Sequence, residues 1–351
     1  MSTVEATAAT EAAAANYRTH GRPLWRRMLL RTESAIVAAI VLLFIVAYTT
    51  VPYFAQPYTF MTMFLNSAPI LLMLLPMTLI IMTGDIDLSV GSILGFSGTI
   101  FGLMFQAGGP LPVAAVVAVI GGGLVGVLNG VLVTQVGLPS LAVTIGTLAL
   151  FRGISVGLLG TAAITDFPSE VTSFVSSPLI PGGPFPVVVV AILVLAIAFA
   201  VLLHFTPFGR GVYAIGLSAE AAAFSGVRVN RTRLILFVLS GLVASAVGVY
   251  FTLQYSNAIG TNGSGFELQV ITAVVLGGVS IWGGRGTLLG ALAGGLLIAM
   301  LNKTLQLAGV GSDSISIVTG AALIFSVVVA SIAGFISRRR RTKASATAAG
   351  A

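Results

Sequence analysis

The sequence contains no cysteine and has two histidines, two tryptophans and few charged residues among its 351 positions. The absence of cysteine excludes disulfide bonds, thiolate nucleophiles and cysteine-ligated metal centres. The two histidines, His20 and His204, are too few and too far apart to form a metal cluster, so we expect neither a metal nor a cofactor. Charged residues make up 8% of the chain, whereas soluble domains carry about 25%. An ordinary soluble domain is therefore excluded.

Hydrophobic residues dominate what is present. They make up 57% of the chain, and the mean hydropathy is +1.06. The 42 glycines suit transmembrane helices whose backbones approach closely. The composition predicts an all-α polytopic membrane protein surrounded by lipid. The net charge of +7 would suggest nucleic acid in a soluble protein, but here the positive charges lie at the ends of apolar segments. They indicate orientation instead, and we expect no nucleic-acid partner.

The apolar segments predict about ten transmembrane helices, given about 20 residues for each crossing. Two pairs of neighbours are separated only by short polar breaks, GDIDLS and GGRG, and either pair is alternatively a single broken or re-entrant element. The expected spans are 35–52, 62–83, 88–106, 112–134, 139–160, 185–205, 234–254, 267–282, 287–307 and 314–336.

Basic residues predict the orientation of these spans. Ten spans with an internal N-terminus place 15 of the 17 lysines and arginines on the inner side, as the positive-inside rule requires. Both termini are then cytoplasmic. The expected layout is a basic tail at 1–34 with no cleaved signal peptide, a transmembrane domain at 35–336, and a basic tail at 337–351.

The chain offers no room for an enzyme or motor domain. Its longest extramembrane stretches are too short to build a nucleotide-binding core, and no GxxxxGK[ST] loop is present to hold ATP phosphates. Energy for any transport must come from an ion gradient or from a separate ATPase.

A polar island interrupts the apolar sequence at 206–233, and the orientation above places it in the cytoplasm. At its centre a run of small residues begins at Glu220, continues through Ala221 and Ala222, and ends at Gly226, a residue suited to a left-handed helix cap. Such a helix fits the groove of a partner protein. The alternative is an ordinary loop with an incidental alanine-rich helix.

Two carboxylates, Asp85 and Asp87, lie between the second and third expected spans. Within a bilayer they would be costly and therefore functional candidates, and discontinuous helices place polar groups in this way in transporters. The alternative is structural, because Asp87 is well placed to cap a helix that starts at Leu88.

Arg152 lies inside the fifth expected span. An arginine there either extends to the outer interface or faces a wet cavity. A guanidinium facing a cavity could bind sugar hydroxyls or a carboxylate.

Several ordered motifs resemble the permease subunits of ribose-type bacterial sugar ABC importers, a family that also includes branched-chain amino acid permeases. The resemblance covers about residues 60 to 335, and the order and spacing of the motifs make it specific. It is carried by IDLSVGSILGFSG at 86–98, LPSLAVTIGTLALFRGI at 138–154, FGRGVYAIGLSAEAAAFSGVRVNRTRLILFVLSGLVASAVGVYF at 208–251 and GFELQVITAVVLGGVSIWGGRGTLLGALAGGLLIAMLNKTLQLAGV at 265–310.

The resemblance implies a channel of two permease copies, or of this permease and a paralogue, in the bacterial inner membrane. It also implies cytoplasmic ABC ATPase subunits and an extracytoplasmic binding protein that delivers a monosaccharide. ATP hydrolysis would lie on the ATPase, so the chain itself is not expected to be an enzyme. Glu220, Ala221, Ala222 and Gly226 inherit the role of the ATPase-coupling loop.

One departure concerns the substrate. Members of the family often have glycine where this chain has Asp85, and the extra carboxylate leaves a branched-chain amino acid or a nucleoside as alternative solutes. An ion-coupled secondary transporter is the rival class, with Asp85 and Asp87 as its titratable pair. The polar residues expected along the translocation pathway are Asn66, Asp87, Ser89, Asn129 and Arg152.

Overall fold

The computed structural model describes residues 32–322, 324–325 and 328. Their regular structure is helical, with two isolated β-bridges and no strand among these residues. Residues 312–322 are also helical. The preceding helices are α1 (Thr32–Thr50), α2 (Pro57–Met82), α3 (Val90–Gln106), α4 (Leu111–Thr134), α5 (Ser140–Leu159), α6 (Ser169–Val175), α7 (Val188–Phe205), α8 (Pro207–Leu217), α9 (Ala219–Phe224), α10 (Val229–Tyr255), α11 (Phe266–Leu276) and α12 (Leu288–Leu307).

Among the described residues, six helices are long and apolar enough to cross a membrane, namely α2, α4, α5, α7, α10 and α12. Three shorter apolar helices accompany them: residues 34–50 of α1, then α3 and α11. The prediction of an all-α, multi-pass architecture is confirmed. The expected tenth span, 314–336, begins in the helical residues 312–322 and continues outside the described residues. The tail 337–351 and most of the tail 1–34 also lie outside them, and α1 includes the last three residues of the predicted tail 1–34.

The eighth expected span, 267–282, is wrong in extent. The corresponding helix α11 has 11 residues and ends at Leu276, so it is about 16 Å long, against about 30 Å of hydrocarbon. It stops because Gly277 and Gly278 follow, and Gly278 has a φ of 84°, a left-handed conformation that glycine adopts without strain. Apolar residues continue to Trp282, which is why composition alone extended the span.

Helix α2 forms the centre of the molecule. Of its most apolar stretch, 89% is buried, and it packs against α7, α10, α11 and α12. Two prolines, Pro69 and Pro76, lie inside it. A helix that is apolar on all sides is stable where other helices surround it, and α2 occupies that position.

The connections between helices gather at two opposite ends. At one end, which we call the island end, the amide of Gly284 donates to the carbonyl of Met82 (2.9 Å) and the amide of Ile86 to Ser140 Oγ (3.3 Å). At the other, the far end, Ile164 and Ala258 exchange two backbone hydrogen bonds of 3.1 and 2.9 Å. The island lies at the first of these ends.

Candidate functional site

The island folds as two helices in sequence, α8 and α9, each started by a side-chain cap. Thr206 Oγ1 accepts from the amide of Gly209 at the start of α8. Ser218 Oγ accepts from the amide of Ala221 (3.2 Å) at the start of α9. Such caps satisfy backbone donors that a helix start leaves unpaired. The island is therefore a folded element.

Gly226 ends α9 in a left-handed conformation with φ of 85°. The amide of Gly226 donates to the carbonyl of Ala223, and the amide of Val227 donates to the carbonyl of Ala222, both at 3.0 Å. This pair of bonds is the Schellman motif. The predicted glycine cap is confirmed, and it gives α9 a fixed end.

Helix α8 of the island packs against the membrane helices through a close backbone contact at Gly216. A β-carbon at this position would collide with the carbonyl oxygen of Met82 and the amide of Gly284. Beside it, Tyr213 Oη donates to the carbonyl of Gly286 (3.0 Å). Helix α8 therefore touches both the end of α2 and the loop that leads into α12.

The predicted coupling residues divide by exposure. Glu220, Ala221 and Gly226 are exposed, whereas Ala222 is buried against the rest of the protein. Ala222 therefore holds α9 in place and is not part of its outer surface. Sequence reasoning missed Phe224, at the end of α9, whose side chain is 87% exposed. An exposed aromatic side chain on a polar loop is typical of a protein-binding surface.

Asp85 is explained by an ion pair that the sequence analysis did not identify. Arg233 Nε lies 2.9 Å from Asp85 Oδ2, an ion-pair contact without the alignment of a good hydrogen bond. Thr83 Oγ1 donates to the same oxygen (3.1 Å). Burial raises the pKa of the Asp85 carboxyl, and the charge of Arg233 partly offsets that rise. The Asp85 carboxylate therefore links the segment between α2 and α3 to the start of α10.

Three of the five expected pathway residues form one buried cluster. Asp87 Oδ1 accepts from the amide (3.0 Å) and the hydroxyl (2.6 Å) of Ser89, and Oδ2 accepts from Ser240 Oγ (2.7 Å). Asn129 Nδ2 donates to Ser89 Oγ (2.8 Å). All four side chains are at most 1% exposed. Helix α3 begins at Val90, later than the predicted start at Leu88, but Asp87 does accept from an amide in the turn that leads into it.

Arg152, the fourth expected pathway residue, binds backbone. Its Nη1 donates to the carbonyls of Gly260 and Asn262, and its Nη2 donates to the carbonyl of Gly91. The guanidinium therefore fastens the loop before α11 to the first turn of α3. The guanidinium is half-buried and its carbonyl partners come from two elements, and its placement at the outer interface or in a wet cavity stays a prediction.

Asn66, the fifth, is different because it is exposed. Its Oδ1 accepts from Gln254 Nε2 and from Tyr255 Oη, both at 3.3 Å. Both partners lie at the end of α10, toward the far end of the molecule. The structure thus brings Asp87, Ser89 and Asn129 together and places Asn66 and Arg152 elsewhere.

Comparison with known proteins decides the family. Residues 59–328 match the family described as branched-chain amino acid transport system / permease component. The chain belongs to this permease family. Similar proteins include the autoinducer 2 import system permease protein LsrD of Salmonella typhimurium, 36% identical over 264 residues, 74% of this chain and 79% of the relative. LsrD of Yersinia pseudotuberculosis serotype O:3 is 36% identical over 285 residues, 78% of this chain and 85% of the relative. No solved structure matches the chain.

Membership confirms the resemblance seen in the motifs. The chain is a permease, the membrane-embedded transport subunit of an ABC importer. ATP hydrolysis in such an importer lies on a separate subunit. The permease is a multi-pass membrane protein whose island, with its capped helices, lies between α7 and α10.

Proposed function

We propose that this permease carries a small neutral hydroxylated solute, of the monosaccharide type, across the bacterial inner membrane, driven by an ATPase bound at the island end. One observation carries the mechanism: the backbone contact of Gly216 with Met82 and Gly284. A helix packed this closely moves together with the helices that it contacts, because packed protein interiors have low compressibility and transmit strain. Force applied to α9 would reach α2 and α12.

The full topology in this proposal is ten spans with both termini and the island in the cytoplasm. The distribution of basic residues supports it. Ser173 on α6 and Ala223 on α9 are both exposed, and single cysteines at these positions test it in a chain without native cysteine. We expect an impermeant thiol reagent outside intact cells to label Ser173→Cys alone. Labelling of Ala223→Cys from outside would refute the orientation.

The ATPase is proposed to grip the exposed surface of α9. Glu220 and Ala221 would lie in its groove, Phe224 would provide an apolar anchor, and Ala222 and Gly226 would fix the helix on its own protein. Three exposed arginines of the island add positive charge, at Arg210, Arg228 and Arg231, whereas Arg233 pairs with Asp85. An acidic rim around the ATPase groove would complement them.

The polar residues of the membrane part take two proposed roles. Asn66 contacts the solute route, because it is the one exposed residue within residues 63–82 of α2. Asp87, Ser89, Asn129 and Arg152 shape the route by holding together the helices around it, because they hydrogen-bond to other parts of the protein, although Asn129 Oδ1 has no partner among the described residues. A second permease copy or a paralogue would complete the channel, and an extracytoplasmic binding protein would deliver the solute.

The solute class is inferred from the relatives and from the ribose-type motifs. The LsrD relatives are named for import of autoinducer 2, whereas the family description names branched-chain amino acids. A branched-chain amino acid and a nucleoside are the alternative solutes. Uptake by cells that express the whole importer, compared for autoinducer 2, D-ribose, L-leucine and uridine, separates the three classes.

The source of energy tests the proposal most simply. An ABC importer reconstituted with its ATPase and binding protein should accumulate solute when ATP is supplied, and an ionophore that collapses ion gradients should leave this accumulation unchanged. The rival secondary transporter predicts the reverse, with uptake abolished by the ionophore and indifferent to ATP. That result would overturn the proposal.

A further inference from the structure

Asn66 occupies an unusual position on the central helix. Within residues 63–82, all of which are described, it is the one exposed residue, and nearly all the others are buried. It is the tenth residue of α2, about 14 Å along the helix from Pro57. The surrounding helices therefore leave an opening over α2 at this point, in the half of the molecule away from the island.

The opening is bordered by amides and aromatic rings. Asn66 accepts hydrogen bonds from Gln254 and Tyr255. The ring of Tyr255 lies 4.5 Å from that of Phe251, which meets the ring of Phe266 edge-on at 5.7 Å. We call these five residues the amide–aromatic patch. It joins α2, the end of α10 and the first residue of the short helix α11.

The patch has hydrogen-bonding capacity that the described residues do not use. Gln254 Oε1 is buried and has no hydrogen-bond partner among them. The Asn66 amide group carries two N–H donors in addition to its paired oxygen, and Asn66 itself is exposed. Lipid chains cannot hydrogen-bond to an amide, and an unpaired polar group in hydrocarbon is strongly unfavourable. The patch therefore faces water or a polar ligand rather than lipid.

The chemistry of the patch selects a neutral ligand. None of the five side chains is charged at neutral pH, so a carboxylate or an ammonium group would lose its hydration without gaining an opposite charge. Hydroxyl groups both donate and accept and therefore match amide oxygens, amide N–H groups and a phenol. The aromatic rings offer flat apolar surfaces for the C–H faces of a sugar ring. Ligand sites commonly combine an apolar lining with a few polar groups.

We propose that the amide–aromatic patch is a contact site for a neutral polyhydroxylated solute on its way from the binding protein into the channel. This inference rests on the proposed function and deepens it by assigning solute contacts to Gln254 and Tyr255 beside Asn66. The contact is shallow, because it consists of a few hydrogen bonds and ring faces. A shallow site suits a channel that must release what it binds.

The test uses the reconstituted importer and the variants Tyr255→Phe and Asn66→Leu. Tyr255→Phe removes one hydroxyl and keeps the ring, whereas Asn66→Leu keeps the branched shape of the side chain and removes the amide. Tyr48→Phe is the matched control, because Tyr48 is also an exposed tyrosine, 62% exposed, but lies on α1. The probe is the member of the panel autoinducer 2, D-ribose, L-leucine and uridine that the unmodified importer accumulates.

We expect each patch variant to raise the solute concentration for half-maximal uptake about five- to tenfold, the effect of one hydrogen bond. ATP hydrolysis in the absence of solute should stay unchanged, and Tyr48→Phe should behave as the unmodified protein. Half-saturation unchanged in both variants would overturn the inference and leave the proposed function standing. If a patch variant prevents two permease copies from associating, the patch belongs to a subunit interface and the inference is refuted. Accumulation of L-leucine alone would refute both the inference and the proposed solute class while leaving the ABC mechanism standing, and no ATP-driven uptake of any probe would refute both proposals.

Discussion

Buried polar side chains in this permease join helices that are far apart in the sequence. Asp87 contacts Ser240, 153 positions away, and Asp85 pairs with Arg233 across a similar separation. The sequence identified both carboxylates as costly in a membrane and therefore significant. It could not identify their partners, because a serine in an apolar helix carries no signal and an arginine at the start of a span also satisfies the positive-inside pattern. The sequence therefore predicted that the two carboxylates matter, but not which side chains they contact.

The Asp87 cluster predicts different results for two substitutions. Asp87→Ala leaves the Ser89 amide and the hydroxyls of Ser89 and Ser240 buried without their acceptor, at a cost of about 1–3 kcal/mol for each group. Asp87→Asn keeps an oxygen for Ser89, and its amide can donate to Ser240. We expect Asp87→Ala to lower the unfolding temperature and yield of the purified permease, and Asp87→Asn to remain close to the unmodified protein.

Uptake per inserted molecule distinguishes this structural role from a direct one. If Asp87 only holds the helices, Asp87→Asn transports normally. Reduced uptake by a stable Asp87→Asn protein, at every solute concentration, would show that the carboxylate charge itself takes part in transport.

At the scale of elements, helix caps were predictable and helix lengths were only partly so. The glycine at the end of α9 was identified from its position after a run of alanines, and the structure confirms it. The length of α11 was not predictable, because apolar residues continue past Gly277 into a loop whose backbone is satisfied within the protein. Irregular backbone at membrane depth is stable only in such protein-covered positions, and hydropathy does not report that covering.

Gly216 tests the contact between the island and the membrane helices. Gly216→Ala adds a methyl group where the backbones of Met82 and Gly284 already lie, and overpacking of this kind costs about 1–3 kcal/mol. Gly146→Ala is the control, because a β-carbon at Gly146, also inside a helix, meets nothing within 4 Å. We expect Gly216→Ala to lower the unfolding temperature and solute-stimulated ATP hydrolysis, with Gly146→Ala equal to or more stable than the unmodified protein.

One result would contradict this prediction about Gly216. Equal stability and equal coupling in Gly216→Ala and Gly146→Ala would show that α8 has space to move away from Met82 and Gly284. The island would then not transmit force by rigid contact.

At the scale of the whole molecule, the permease is divided into two ends with different properties. The island end carries tight glycine contacts, an ion pair and the exposed helix α9, as expected of a face that receives mechanical work. The far end carries the opening over Asn66, as expected of a face that receives solute. The sequence indicated this polarity through its basic residues and its motifs. The opening itself depends on how α2, α10 and α11 meet, which no local pattern encodes.

The central claim is that the ATPase binds the island at α9, and two glutamates in matched positions test it. Glu220 is the second residue of the six-residue helix α9, and Glu170 is the second residue of the seven-residue helix α6. Both are exposed, so their replacement by lysine has the same effect on the helix dipole. The measurement is the amount of ATPase subunit that co-purifies with each permease variant from membranes. We predict that Glu220→Lys loses the ATPase while the permease stays inserted, and that Glu170→Lys retains it in full. Full retention of the ATPase by Glu220→Lys would contradict the account.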